Sequence, residues 1–370
     1  MRKRLYIILL TIITIITSIS LSSNTTEASN SNNLMKVVKR MSLRDRIAQM
    51  YFVPSNGDSA QMEKDIQQYH FGGILLFGSD FQNETQQTFK DKINQFQKVS
   101  SIPLFIGTDQ EGGTVSRLSD NPQLTNNRQF PSPLNLNQNL KQETTEATET
   151  AKILKSLGIN WNFAPVADVS TDPNSFIYNR TYGKNYTETA KYISKVVPAI
   201  QKEKVVATLK HFPGYGNAND THTGFATSDK SLSDLKKQDL LPFKAGIKAK
   251  VDAILISHIL ISQIDNQLPA SLSPKVNRFL RKNLHYSGII ITDDLGMDAI
   301  TKFAQEKQIN ADVTAVKAGN DMLISKNYAS GIPAIEKAVQ NHEISEKQIN
   351  RSVYRILKLK QKLGIYHIHK

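Results

Sequence analysis

Eight short apolar runs recur along the chain with helical stretches between them, and this alternation limits the fold more than any other feature of the sequence. The runs are MYFV (50–53), GGILLF (72–77), PLFIG (103–107), INWNFA (159–164), VVATL (205–209), AILIS (253–257), GIIIT (288–292) and DMLIS (321–325). Short strands separated by amphipathic helices are what repeated βα units and a parallel sheet require. NETQQTFKDKINQFQKV sets Phe89, Ile93 and Phe96 at helical spacing, and TETAKYISKVVPAIQKE has the same character. Ser345, with Gln348 three residues later, resembles a capping box, and Ile349, Val353 and Ile356 follow along one helical face. Eight such units over roughly 320 residues favour a single (β/α)8 TIM-type barrel over a doubly wound sheet. No linker rich in Pro, Gly or Ser divides residues 35–370, which are expected to form one catalytic barrel after a polar segment at 29–34. The single Trp161 lies inside the fourth run and reads as core packing.

The 370 residues, 39% hydrophobic and 21% charged, rule out a disordered or fibrous chain. Residues 1–28 differ from the rest: a basic MRKR, an apolar LYIILLTIITIITSISL and a small-residue site ending at Ala28 read as a secretory signal peptide. An uncleaved membrane anchor is the alternative, since the apolar run is near the lower length limit for a spanning helix. The chain has no cysteine, which excludes disulfides, thiolate metal sites and a lipid anchor on a cysteine. The expected location is therefore secreted or associated with a Gram-positive-type cell wall. A formal charge of +13 favours polyanionic partners. Nucleic acid is not expected, because no basic-aromatic repeat or recognition-helix pattern is present, and anionic cell-wall polymers are the more economical partner.

A barrel builds its site at the C-terminal ends of its strands, and there the titratable residues cluster. TDQEGG with Asp109 and Glu111 follows the third run, PVADV with Asp168 and NRTYG with Arg180 the fourth, and Lys210 and His211 the fifth. His258 closes the sixth, and Asp293 and Asp294 follow the seventh. TDD is the most telling, because adjacent carboxylates at the end of a buried strand repel one another unless the site uses one. Retaining glycoside hydrolysis fits this set: a carboxylate attacks the anomeric carbon while a second group protonates the leaving oxygen. Asp293, presented by GIIIT, suits the nucleophile. His222, on the glycine-rich stretch KHFPGYGNANDTHTG, suits the acid/base, with Asp220 orienting its imidazole.

Five motifs in order, DQEGG, NFAPVADV, NRTYG, KHFPG…DTH and IITDDLGM, resemble those of family 3 glycoside hydrolases. Within the family they are similar to the NagZ-type β-N-acetylglucosaminidases of cell-wall recycling. The resemblance runs from about residue 35 to 360 and implies a nucleophile at Asp293, an acid/base at His222 and a dyad partner at Asp220. It further implies sugar-binding positions at Asp109, Arg117, Arg180, Lys210 and His211, with no cofactor and no metal. The implied substrate is terminal β-linked N-acetylglucosamine in glycans, taken by a monomer whose chain ends after the barrel. Three features depart from the pattern: Tyr215 replaces the His of PGHG, the segment from Gly216 to Asp220 is one residue short, and Thr114 stands where Arg is common.

Other readings stay open on the residues alone. A substrate-assisted mechanism would use Asp293 and Asp294 as a pair, although adjacent strand residues point to opposite faces. A phosphorylase, or a β-glucosidase of the same family, would use the same catalytic residues. A metal-dependent hydrolase could draw on His211, Asp220, His222, His258 and Asp293, and a non-catalytic wall-binding barrel needs none of them.

Overall fold

The computed structural model describes residues 31–136, 139–216, 220–221 and 224–368. The expected signal peptide at 1–28 lies outside the described residues. All eight apolar runs form strands: β1 (Tyr51–Pro54), β2 (Gly73–Leu76), β3 (Phe105–Thr108), β4 (Trp161–Asn162), β5 (Val206–Phe212), β6 (Ala253–Ile256), β7 (Ile289–Asp294) and β8 (Met322–Ile324). They pair in parallel, each with its sequence neighbours, and β1 closes on β8 to complete the barrel. This is the (β/α)8 architecture that the alternation of runs and helices requires.

The helices form where an apolar stripe can be covered. Gln86–Val99 starts at Thr85, whose side chain accepts from the Thr88 amide, and it buries Phe89, Ile93 and Phe96. Each such side chain contributes about 1.5–3 kcal/mol by leaving water. Glu346–Leu363 is capped by Ser345 and buries Ile349, Val353 and Ile356. Only half of the expected capping box forms there, because the Gln348 side chain reaches the Val316 carbonyl instead. Among the described residues no helix is long and apolar enough to cross a membrane.

The barrel interior is filled by aromatic rings. Phe52 meets Trp161 and Phe163 edge-on, at 5.2 Å between centroids in both cases, and Phe105 meets Trp161 at 4.8 Å. Gly107 gives them room, since a Cβ there would sit 2.7 Å from the Phe52 ring. At the N-terminal end the fully buried Lys360 donates to Gln49 Oε1 (2.8 Å), and Gln49 in turn donates to the His70 and Phe71 carbonyls.

Two strands run further than their apolar runs. Lys210 and His211, expected just past the fifth strand, lie within β5, and Asp293 and Asp294 lie within β7. Backbone pairing continues where hydrophobicity stops: Phe212 aligns with Ile256 across an irregular register, and Lys210 bridges to Val166.

Candidate active site

At the C-terminal mouth of the barrel lies a cavity of about 400 Å³. Leu75, Phe163, Leu255 and Ile324 supply apolar lining, and Asp109, Glu111, Arg117, Arg180, Lys210, His211, Asp293 and Asp294 supply the polar lining. Every sugar-binding position implied by the resemblance therefore faces one space, together with the expected nucleophile.

The centre of the cluster is Glu111, which the sequence places among the titratable residues at the strand ends without giving it a role. Its two oxygens accept from Arg180 Nε and Nη2, each at 2.9 Å, and Lys210 Nζ lies 2.6 Å from Oε1. Lys210 also donates to Asp109 Oδ1 at 2.6 Å, so one ammonium joins both carboxylates. Burial works against ionisation of Glu111, yet the Lys210 ammonium and Arg180 guanidinium outweigh it and hold its carboxyl down at about 2. Burial likewise opposes the charge of Lys210, and Asp109 and Glu111 more than offset it, keeping the ammonium above the ordinary lysine value. Glu111 reaches this position on a small ribbon, Gln110–Gly112 paired with Val115–Ser116. The turn needs the two glycines: Gly112 and Gly113 have φ of 93° and 62°, and a Cβ on Gly112 would lie 2.3 Å from the Pro131 carbonyl oxygen.

His211 is oriented from behind by Asp168, which is almost wholly buried. Asp168 Oδ2 accepts from the His211 amide (3.0 Å) and lies 2.7 Å from its Nδ1, while Oδ1 accepts from the Tyr215 amide (2.8 Å). A carboxylate only accepts and a guanidinium only donates, so Nδ1 carries the proton toward Asp168 and Nε2 accepts from Arg180 Nη2 at 3.3 Å. Arg117 stacks its guanidinium over Phe77 at 5.7 Å, and its buried Nε has no hydrogen-bond partner among the described residues.

Asp293 and Asp294 do not divide between the two faces of the strand. The β7–β8 register slips between Ile291 and Asp294, and both residues line the cavity. Their environments differ. Asp294 turns an oxygen back onto the Gly296 amide (2.8 Å), and burial, with the neighbouring Asp293 charge, raises its carboxyl from the ordinary value despite that bond. Asp293 Oδ1 accepts from the Asp294 amide at 2.9 Å. His258 serves the framework, with Nδ1 at 2.8 Å from Ser271 Oγ and Nε2 at 2.8 Å from the Asp294 carbonyl. Among the described residues no group of three or more His, Asp or Glu side chains is arranged to hold a metal.

The expected acid/base His222 lies outside the described residues. Asp220 and Thr221 are described, and the Thr221 hydroxyl lies 2.6 Å from the Tyr215 hydroxyl, with both Thr221 and Tyr215 buried. Tyr215 packs edge-on against His211 at 5.0 Å, so the residue that departs from the family pattern joins Thr221 to the cluster around Arg180 and His211. Burial, followed by the charge of Asp293, raises its phenol and keeps it protonated.

Residues 42–359 match the family model described as Glycosyl hydrolase family 3 N terminal domain. The chain is 32% identical over 340 residues to beta-hexosaminidase A of Pseudoalteromonas piscicida, covering 82% of this chain and 55% of that protein. Its fold is similar to a family 3 beta-N-acetylglucosaminidase from Paenibacillus sp. str. FPU-7, with TM-score 0.80 and 31% identity over 88% of this chain and 63% of that one. LpqI of Mycobacterium tuberculosis superposes with TM-score 0.79 at 28% identity, over 88% of this chain and 96% of that one. The chain thus spans little more than half of the first relative and less than two thirds of the first structure.

Proposed function

The chain belongs to glycosyl hydrolase family 3, and on that premise we propose that it is an exo-acting, retaining β-N-acetylhexosaminidase. Its substrate is terminal, non-reducing β-linked N-acetylglucosamine, removed from peptidoglycan fragments during cell-wall turnover. The observation that carries this reading is the shared cavity: Asp293, at the end of a barrel strand, opens onto the same space as the Asp109–Lys210–Glu111–Arg180–His211 cluster. Such a cluster offers donors and acceptors to several sugar hydroxyls at once, and Arg117 brings a donor, Nε, that has no partner among the described residues.

The reaction runs in two displacements. Asp293 attacks the anomeric carbon as the glycosidic bond breaks, and His222 gives its proton to the departing oxygen. Water then attacks the glycosyl ester, returning a proton to His222 and freeing Asp293 with the original anomeric configuration. Asp220 orients His222 through this cycle. The neighbouring Asp294, committed to the Gly296 turn, takes no covalent part. The protein acts as a monomer that is exported and held at an anionic wall.

The test compares release of the phenol from an aryl β-N-acetylglucosaminide and from the matching β-glucoside, with and without phosphate. Preference for the acetamido sugar, abolished in Asp293→Ala, supports the reading. Equal use of both sugars, or turnover that depends on phosphate, would redirect it to a β-glucosidase or a phosphorylase.

A further inference from the structure

A second concavity lies at the opposite pole of the barrel, between the C-terminal helix and the segments entering β6 and β7, with a volume of about 870 Å³. Its lining contains Lys250, Arg351, Arg355, Lys358 and Lys362 against a single acid, Asp252. Arg351, Arg355, Lys358 and Lys362 recur at helical spacing along Glu346–Leu363, so the Cβ atoms of successive cationic residues stand about 5–6 Å apart along one face. Two of the five are already engaged: Lys362 binds Asp252 at 2.5 Å and Arg355 binds the buried Asp321 at 2.9 Å. Lys250, Arg351 and Lys358 are exposed and make no ion pair among the described residues.

We propose that this groove binds a linear, phosphate-bearing polyanion. A row of cations in a concave trough suits a chain with regularly spaced charges better than a flat bilayer, which would reach only the rim. The arginine fork matches phosphate oxygens in geometry as well as charge. Ile289, at the start of β7, lines the groove and Asp294, at its end, lines the catalytic cavity, so the two sites are about 17 Å apart along one strand. A polymer held here leaves the catalytic mouth open, whatever reaction occurs there.

The test uses long-chain inorganic polyphosphate as the probe and titrates the intact protein at several salt concentrations. The groove variant Lys250→Gln/Arg351→Gln/Lys358→Gln is expected to bind at least ~10-fold more weakly, with a salt dependence shallower by about one power of salt concentration for each cation removed from the polymer's path. The control Lys64→Gln/Lys155→Gln/Lys191→Gln removes the same charge from other exposed lysines and is expected to stay within about twofold of the parent. Unchanged aryl glycosidase activity and an unchanged thermal melt in the groove variant report that it is folded. Equal loss in both variants would reduce the effect to net charge and overturn the proposal. So would tighter binding to phosphatidylglycerol vesicles than to polyphosphate, or equal affinity for monomeric phosphate.

Discussion

Replacing Glu111 by Gln keeps the shape of the side chain and removes the charge shared by Lys210 and Arg180. The carboxyl is depressed from an ordinary 4.5 to about 2, which at about 1.4 kcal/mol per pH unit corresponds to about 3 kcal/mol of stability at neutral pH. A depressed carboxylate contributes fully above its unfolded value and loses that contribution as pH falls from 4.5 toward 2. At pH 3 only about 1 kcal/mol of it should remain. With an unfolding entropy of about 2 cal/mol/K per residue over 370 residues, Glu111→Gln is expected to lower Tm by about 4 °C at pH 7. Guanidinium unfolding of parent and variant at pH 7, 5 and 3 measures the gap directly. A deficit below about 1 kcal/mol at neutral pH, or one that fails to narrow by pH 3, would refute the claim that paired burial of this charge holds the cluster together.

Two further variants probe the surroundings. Tyr215→Phe removes the partner of the buried Thr221 hydroxyl, at a cost of about 1–2 kcal/mol. Turnover of a disaccharide, whose poor leaving group needs the proton, should fall severalfold while an activated aryl glycoside is little affected; equal losses would remove Tyr215 from the placement of the acid/base loop. Glu143 is buried, its Oε1 is unpartnered among the described residues, and burial, reinforced by Glu146, raises its carboxyl to about 8. A raised carboxyl loses stability as pH climbs from 4.5 through about 8, so Glu143→Gln should be more stable than the parent at pH 8 and much less distinguishable at pH 5 in thermal melts.

The barrel is legible in the sequence because each strand is an apolar run bounded by polar residues, and eight such runs leave few alternatives. Strand ends are less legible. At Lys210–His211 and Asp293–Asp294 the hydrophobic pattern stops while backbone pairing continues, so chemistry that reads as loop is carried on strands. The alternation rule fails at Asp293 and Asp294 for a local reason, the slipped register against β8, which no single-strand pattern contains. Glu111 is missed as the hub because its inward direction depends on a two-glycine turn packed against Pro131 and Ser132, roughly twenty residues away. Asp168 is visible only as a charge near a strand end, and its role as the orienting partner of His211 requires the fold. The basic groove is only partly legible: four of its cations recur at helical spacing on the C-terminal helix, but that Lys250, on the approach to β6, faces them across a concavity requires the fold.

The proposed reaction turns on Asp293 becoming covalently bonded to the sugar. Incubation with a 5-fluoro glycosyl fluoride of N-acetylglucosamine, which forms the glycosyl-enzyme readily and releases it slowly, should add one sugar to the intact protein. Peptide mass spectrometry should then locate the added mass on Asp293, with no label in Asp293→Ala. A label on another carboxylate such as Asp294, or continued turnover of this reagent with no adduct at any residue, would contradict the account.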